Sequence, residues 1–314
     1  MPLPVTVYRS SDAGAPPLEF TPSSVINILK KCLVEGYGTK QPLGWTIAFE
    51  DAANIAIAFR NDPAVGTGGY VKFWSPTGDA VGTNLLVNAC RDMVDINTLI
   101  NPVGLRPIPI GAGANYQNSW MVIGTSRSAW IIINSSYSGV DDYDLSSSSA
   151  GYQANQFFGD IDSVVPNDAG AFTLFTGDGI NGDSNTPAYN RYVGSTGTLY
   201  AFMISTDLSD QTVVEYRSFY PAVGSSTKKY NDPESVGSPH ILYPFFLRIG
   251  SANYDPSVAY PPHRGIIPGL YGSSQWGYCD KKYPLDLDIG GVMYTALRGL
   301  YIPTAWINME EWYV

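Results

Sequence analysis

Asp178, Asn181, Asp183 and Asn185 bring four side-chain oxygens into an eight-residue stretch rich in glycine, the composition of a calcium loop. Calcium takes about six to eight oxygen ligands in a flexible shell. The order departs from an EF-hand, because no second ligand stands at position three and no glutamate closes at position twelve. The stretch therefore reads first as a cluster of Asx-Gly turns, with calcium as the alternative and no cofactor required. Asp141, Asp142 and Asp144 read as a solvated acidic loop.

Paired acids are the second possibility. Glycoside hydrolysis uses two carboxyl groups, one as general acid and one as base or nucleophile. Asp160 with Asp162, and Asp286 with Asp288, stand two apart and would share one face of a strand. Glu310 and Glu311 are adjacent. Acids at such spacings also bracket turns, and that is the reading preferred for all three pairs.

Histidine is the commonest general base, and the chain has two, His240 and His263, each beside proline and each expected in a loop at a strand edge. No nucleophile elbow, zinc-protease helix, phosphate-binding loop or dinucleotide turn occurs in the sequence. The chain is expected not to be an enzyme. Cys32, Cys90 and Cys279 are odd in number and widely spaced, so they are expected to be reduced packing residues.

The elements that position these residues can be read next. Thr21 is placed to cap a helix over 22–35, Pro22 suits its first position, and Val25, Ile28, Leu29, Cys32 and Leu33 share one face. Gly36 supplies the stop. Strand-like runs follow at 45–49 and 54–60, then at 70–74, 120–123, 129–133, 172–175, 199–204, 212–216, 241–249 and 292–297. Residues 85–100 are ambiguous. Loops near 134–155, 177–197 and 250–263 are longer than a compact sandwich needs.

The fold expected is mainly β with a small α+β N-terminal part: a helix-plus-hairpin module over 1–64 and a β-sandwich-like or barrel-like domain with long loops over 65–314. Asp62 to Gly69, rich in Gly and Pro, marks the boundary.

Composition narrows the partners. Eighteen basic against 28 acidic residues give a formal charge of −10, which repels phosphate backbones and anionic membranes, so neither nucleic acid nor a membrane is expected. No apolar run approaches the length of a membrane helix, and no secretory signal is visible at the N-terminus. Charged residues are 15% of the chain, below the roughly 25% of ordinary soluble domains. A surface that faces neighbouring subunits and a Ser/Thr/Asn-rich β surface both account for that. Aromatic residues are 13% of the chain, and Trp74, Trp276 and Tyr278, beside turn residues, are the candidates for an interaction surface.

Several motifs stand in order along the chain. Val7-Tyr8-Arg9-Ser10 with Asp12-Ala13-Gly14-Ala15-Pro16 comes first, then the helix with Leu29, Cys32, Leu33 and Val34, then Gly36-Tyr37-Gly38-x-Lys40, Gly44-Trp45-Thr46 and Arg60-Asn61. Phe158-Gly159-Asp160 is followed by Asp168-Ala169, and Arg264-Gly265-Ile266-Ile267-Pro268-Gly269-Leu270-Tyr271 stands near the end. In this order they resemble a family of tailed-bacteriophage virion structural proteins. The chain departs from the family at its last residues, Asn308 to Val314.

That resemblance implies a non-enzymatic particle component, made in the host cytoplasm and resident in the virion. Its partners would be other phage structural proteins, with many copies and a homo-oligomeric arrangement, as capsid decoration or as a tail or neck accessory. It transfers no active site. The alternative from another class is a host-surface glycan-binding adhesin of the tail or baseplate, acting through Trp276, Tyr278 or the long loops.

Overall fold

The computed structural model describes residues 2–108, 110, 118–134, 153–176, 201–205, 213–219, 242–249, 263–273, 286–297 and 305–314. It is mainly β, with sheets packed into a sandwich-like core, as expected. All strand pairings among the described residues are antiparallel.

The chain enters through β1 (Leu3–Pro4) and β2 (Thr6–Arg9) and then forms α1 (Pro22–Lys30). The cap is the one the sequence indicates: Ser24 N–H donates to the Thr21 hydroxyl, and Thr21 N–H donates back to the Ser24 hydroxyl. The helix expected to reach residue 35 is regular only to Lys30. Lys31–Glu35 form a wider turn closed by Gly36 N–H to Lys31 C=O at 2.7 Å. The following segment draws on this turn, because Leu43 N–H and Trp45 N–H donate to the carbonyls of Cys32 and Leu33.

A meander of β3 (Thr46–Asp51), β4 (Ala56–Arg60), β5 (Tyr70–Trp74), β6 (Leu85–Asp95) and β7 (Thr98–Ile108) makes one five-stranded sheet. The ambiguous stretch 85–100 thus holds β6 and the start of β7, the two arms of a long hairpin. Its polar positions, Asn88, Arg91, Asp92 and Asp95 among them, hide the alternation that would have marked it. β4 and β5 pair along five rungs, from Ala56 opposite Trp74 to Arg60 opposite Tyr70, so one sheet spans residues 64 and 65.

The next five strands are β8 (Ser119–Gly124), β9 (Ser128–Asn134), β10 (Gln153–Asp160), β11 (Asp162–Ser163) and β12 (Phe172–Thr176). Residues 153–155, expected in a loop, begin β10. β8, β9, β10 and β12 join β2 in a central sheet of order β12-β10-β9-β8-β2. Both faces of this sheet are covered. Trp120, Val122, Ile131, Ile133 and Phe158 pack with the helix and the meander, while Met121, Ile123, Trp130, Ile132 and Phe157 pack on the opposite side. That burial explains the unbroken apolar run Trp130-Ile131-Ile132-Ile133, since neither face needs polar side chains.

The third sheet comprises β13 (Ala201–Ser205), β14 (Val213–Phe219), β15 (Leu242–Ile249), β16 (His263–Ser273), β17 (Asp286–Ile289), β18 (Val292–Leu297) and β19 (Ala305–Asn308), in the order β13-β14-β15-β16-β19-β18-β17. β11 attaches to β16. Phe245, Leu247, Ile267, Leu270 and Ile307 close the second core against the central sheet. β20 (Glu311–Trp312) finally pairs with β1, which brings the two ends of the chain together.

Candidate functional site

Polar groups from distant segments meet at the ends of β9 and β10. Asp160, the last residue of β10, has no exposed surface. Its Oδ2 accepts from Thr67 N–H at 2.9 Å, its Oδ1 from the Thr67 hydroxyl at 2.5 Å, and Arg127 Nε lies 3.4 Å from Oδ2. Acceptance at both oxygens fits an ionised carboxylate, but removal from water is the stronger influence and raises its proton affinity above that of an ordinary aspartate.

Main-chain geometry fixes this arrangement. An added Cβ on Gly66 would sit 2.7 Å from both Asp160 Oδ2 and Asn61 Nδ2, so a bare residue is needed there. Gly159, at φ +129°, lies against Ser128 in the same way. Tyr313 comes from the end of the chain. Its hydroxyl donates to Asp160 C=O at 2.6 Å and contacts Ser128 Oγ at 2.7 Å, while the Arg127 guanidinium lies 3.9 Å from its ring centre.

A second buried pair stands beside the first. Arg264 Nη2 donates to Asp168 Oδ1 at 2.5 Å, with side-chain exposures of 0% and 2%. Asp168 also accepts from Gly170 N–H and from the Ser163 hydroxyl. Between these pairs opens a cleft of about 520 Å³, whose walls include Val65, Thr67, Arg127, Asp162, Ser163 and Pro166. Asp162 is half-buried, and its carboxylate makes no side-chain hydrogen bond among the described residues. Burial raises its proton affinity, against the opposing charge of Arg127.

The opening motif forms a third polar knot. Val7, Tyr8 and Arg9 pair with Ile123, Val122 and Met121 at the edge of the central sheet. Tyr8 donates to Gln41 C=O at 2.5 Å, Lys40 Nζ to Val7 C=O at 2.9 Å, and the Tyr37 hydroxyl to Asp12 Oδ2 at 2.8 Å. Gly38 is required by proximity, because a Cβ there would lie 2.4 Å from Ala13 O. Trp45 Nε1 reaches Thr125 C=O and Trp120 Nε1 reaches Pro16 C=O, both at 3.0 Å.

The remaining candidates fall as follows. Trp74 ends β5, half-buried, with Lys72 Nζ 4.8 Å from its ring centre. Trp276, Tyr278, Asp178, Asn181, Asp183, Asn185, Asp141, Asp142, Asp144, His240 and Cys279 lie outside the described residues. His263 is not in a loop. It opens β16, where a ring nitrogen lies 3.1 Å from Gly265 O and the ring packs edge-on against Phe246. Cys32 and Cys90 are buried free thiols.

Asp286 binds Arg9 at 2.6 Å, and Asp288 accepts Gly291 N–H in the turn between β17 and β18. Glu310 accepts Met293 N–H, and Glu311 is exposed. Thr67 and Arg127 were not singled out by the sequence. Nothing in their local spacing marks them, because their partner Asp160 is 93 and 33 residues away. No protein-family model, curated protein or solved structure matches this chain.

Proposed function

We propose that this chain is a non-enzymatic structural subunit of a tailed-bacteriophage particle, present in many copies and acting through contacts with other particle subunits. One observation carries the reading. The residues by which the chain resembles that family bond chiefly to one another or to the central sheet. Asp12 pairs with Tyr37, Lys40 with Val7, Asp160 with Thr67 and Arg127, and Asp168 with Arg264. Such a pattern supports a bonded frame on which the loops are carried.

Attachment then follows from buried area. Each Å² of apolar surface removed from water contributes about 25 cal/mol, and a stable contact buries on the order of 1,200 Å² or more in total. Repetition on a symmetric particle multiplies the residence time of each contact. The low proportion of charged residues suits surfaces that end inside such contacts.

Immunogold labelling of purified particles from cells expressing the chain tests this. Labelling at a repeated position on the head, neck or tail is expected. Particles that carry no label, with the chain free in the lysate, would remove the reading.

A further inference from the structure

The distal part of the β6–β7 hairpin runs beyond the sheet that carries it. The last rung between β5 and β6 is Tyr70 opposite Cys90, so residues 91–101 extend past it, and among the described residues they pair only with each other. A lone two-stranded hairpin is marginal in water. What holds this one lies on the outer face of the meander. Ile57, Phe59, Val71 and Phe73 enter the main core, whereas Ala58 and Cys90 belong to a separate cluster with Met93, against which Phe49, Tyr70, Ile96 and Leu99 pack. The hairpin tip therefore folds back over Phe49 and Tyr70.

Two carboxylates tether the tip to β5. Asp92 accepts a hydrogen bond from the Tyr70 hydroxyl, and Asp95 attracts the Lys72 ammonium. Lys72 is only 8% exposed, and its Nζ lies 4.8 Å from the Trp74 ring centre. The stem is bent where it leaves the sheet. Register shifts fall at Asn88/Ala89 and at Met93/Asp95, and Asn101 and Gly104 have positive φ, at +51° and +58°. Asn88 Nδ2 donates to Gly104 C=O at 2.6 Å, which fixes the bend from the sheet side.

We infer that residues 91–101 are a flap, which lifts from the meander as one unit while the rest of the chain stays folded. Closed, it covers Phe49 and Tyr70 and leaves Val94 and Ile100 facing outward at 64% and 38% exposure. Lifted, it uncovers the aromatic pair instead. The small apolar cluster holds it shut, and the attraction between Lys72 and Asp95 adds a latch that salt screens. The inference does not rest on the particle reading.

Native-state hydrogen exchange of the full chain, resolved by residue and corrected for intrinsic rates, tests this without a variant. Amides of 92–100 are expected to exchange as a group, about tenfold or more faster than those of 86–89 and 103–105 and with a smaller urea dependence. Lys72→Met keeps the apolar stem against Trp74 and removes the charge. It should speed the group about two- to fivefold and abolish the acceleration that about 1 M sodium chloride gives the wild type. Exchange of 92–100 at the pace of the flanking strands would overturn the flap. A Lys72→Met chain that matches the wild type in both rate and salt response would overturn the latch.

Discussion

Arg264 Nη2 and Asp168 Oδ1 lie 2.5 Å apart with both side chains withdrawn from water, and they tie β16 to the loop between β11 and β12 through residues 96 positions apart in the chain. Removal of one partner strands the other charge in the interior. Arg264→Met is therefore expected to cost about 3 to 5 kcal/mol, read from the shift of the urea midpoint. Arg9→Met, which breaks the partly exposed pair with Asp286, should cost under about 1 kcal/mol. Comparable costs would contradict this ranking.

Gly269 and Gly290 both have positive φ, at +69° and +67°, but their surroundings differ. A Cβ on Gly269 would lie 2.0 Å from Trp312 Nε1, whereas a Cβ on Gly290 meets nothing within 4 Å. Gly290→Ala should cost only the left-handed strain, about 1 to 2 kcal/mol. Gly269→Ala should add overpacking of about 1 to 3 kcal/mol and displace Trp312, visible as a red shift of tryptophan emission.

Asp160 gives a pH signature. Its proton affinity in the fold is raised by burial, above the unfolded value near about 3.9. Between the unfolded and folded pKa values the folded chain therefore binds more protons, so this residue's contribution to stability falls as pH rises through that window. Asp160→Asn should lack the falling component. Urea melts from pH 4 to pH 7 decide the matter: the stability gap between wild type and variant should move against the wild type as pH increases.

Burial raises the thiol pKa of Cys90 to about 12 and that of Cys32 well above its ordinary value. Thiolates are the reactive form, so both should resist a thiol-specific chromogenic reagent at pH 8 and react only after denaturation. Immediate reaction of either one in the native chain would place it at the surface.

The sequence exposed the helix through its cap and apolar stripe, and the core strands through runs such as Trp130 to Ile133. Gln153 to Asp160 escaped notice because Gln153, Asn155, Gln156 and Gly159 interrupt any apolar alternation. The strand is held by β9 and β12 rather than by its own propensity. The polar centre was half legible. Asp160, Asp168 and Arg264 stood in motifs, but their partners are fixed by tertiary packing, which local spacing does not encode.

The central claim is that the chain is a multi-copy particle component. Quantitative mass spectrometry of gradient-purified particles measures it directly. The account predicts a fixed ratio of several copies per particle relative to the main head or tail protein, constant across the particle band. Absence from the band, or a trace amount that does not follow particle number, would contradict it.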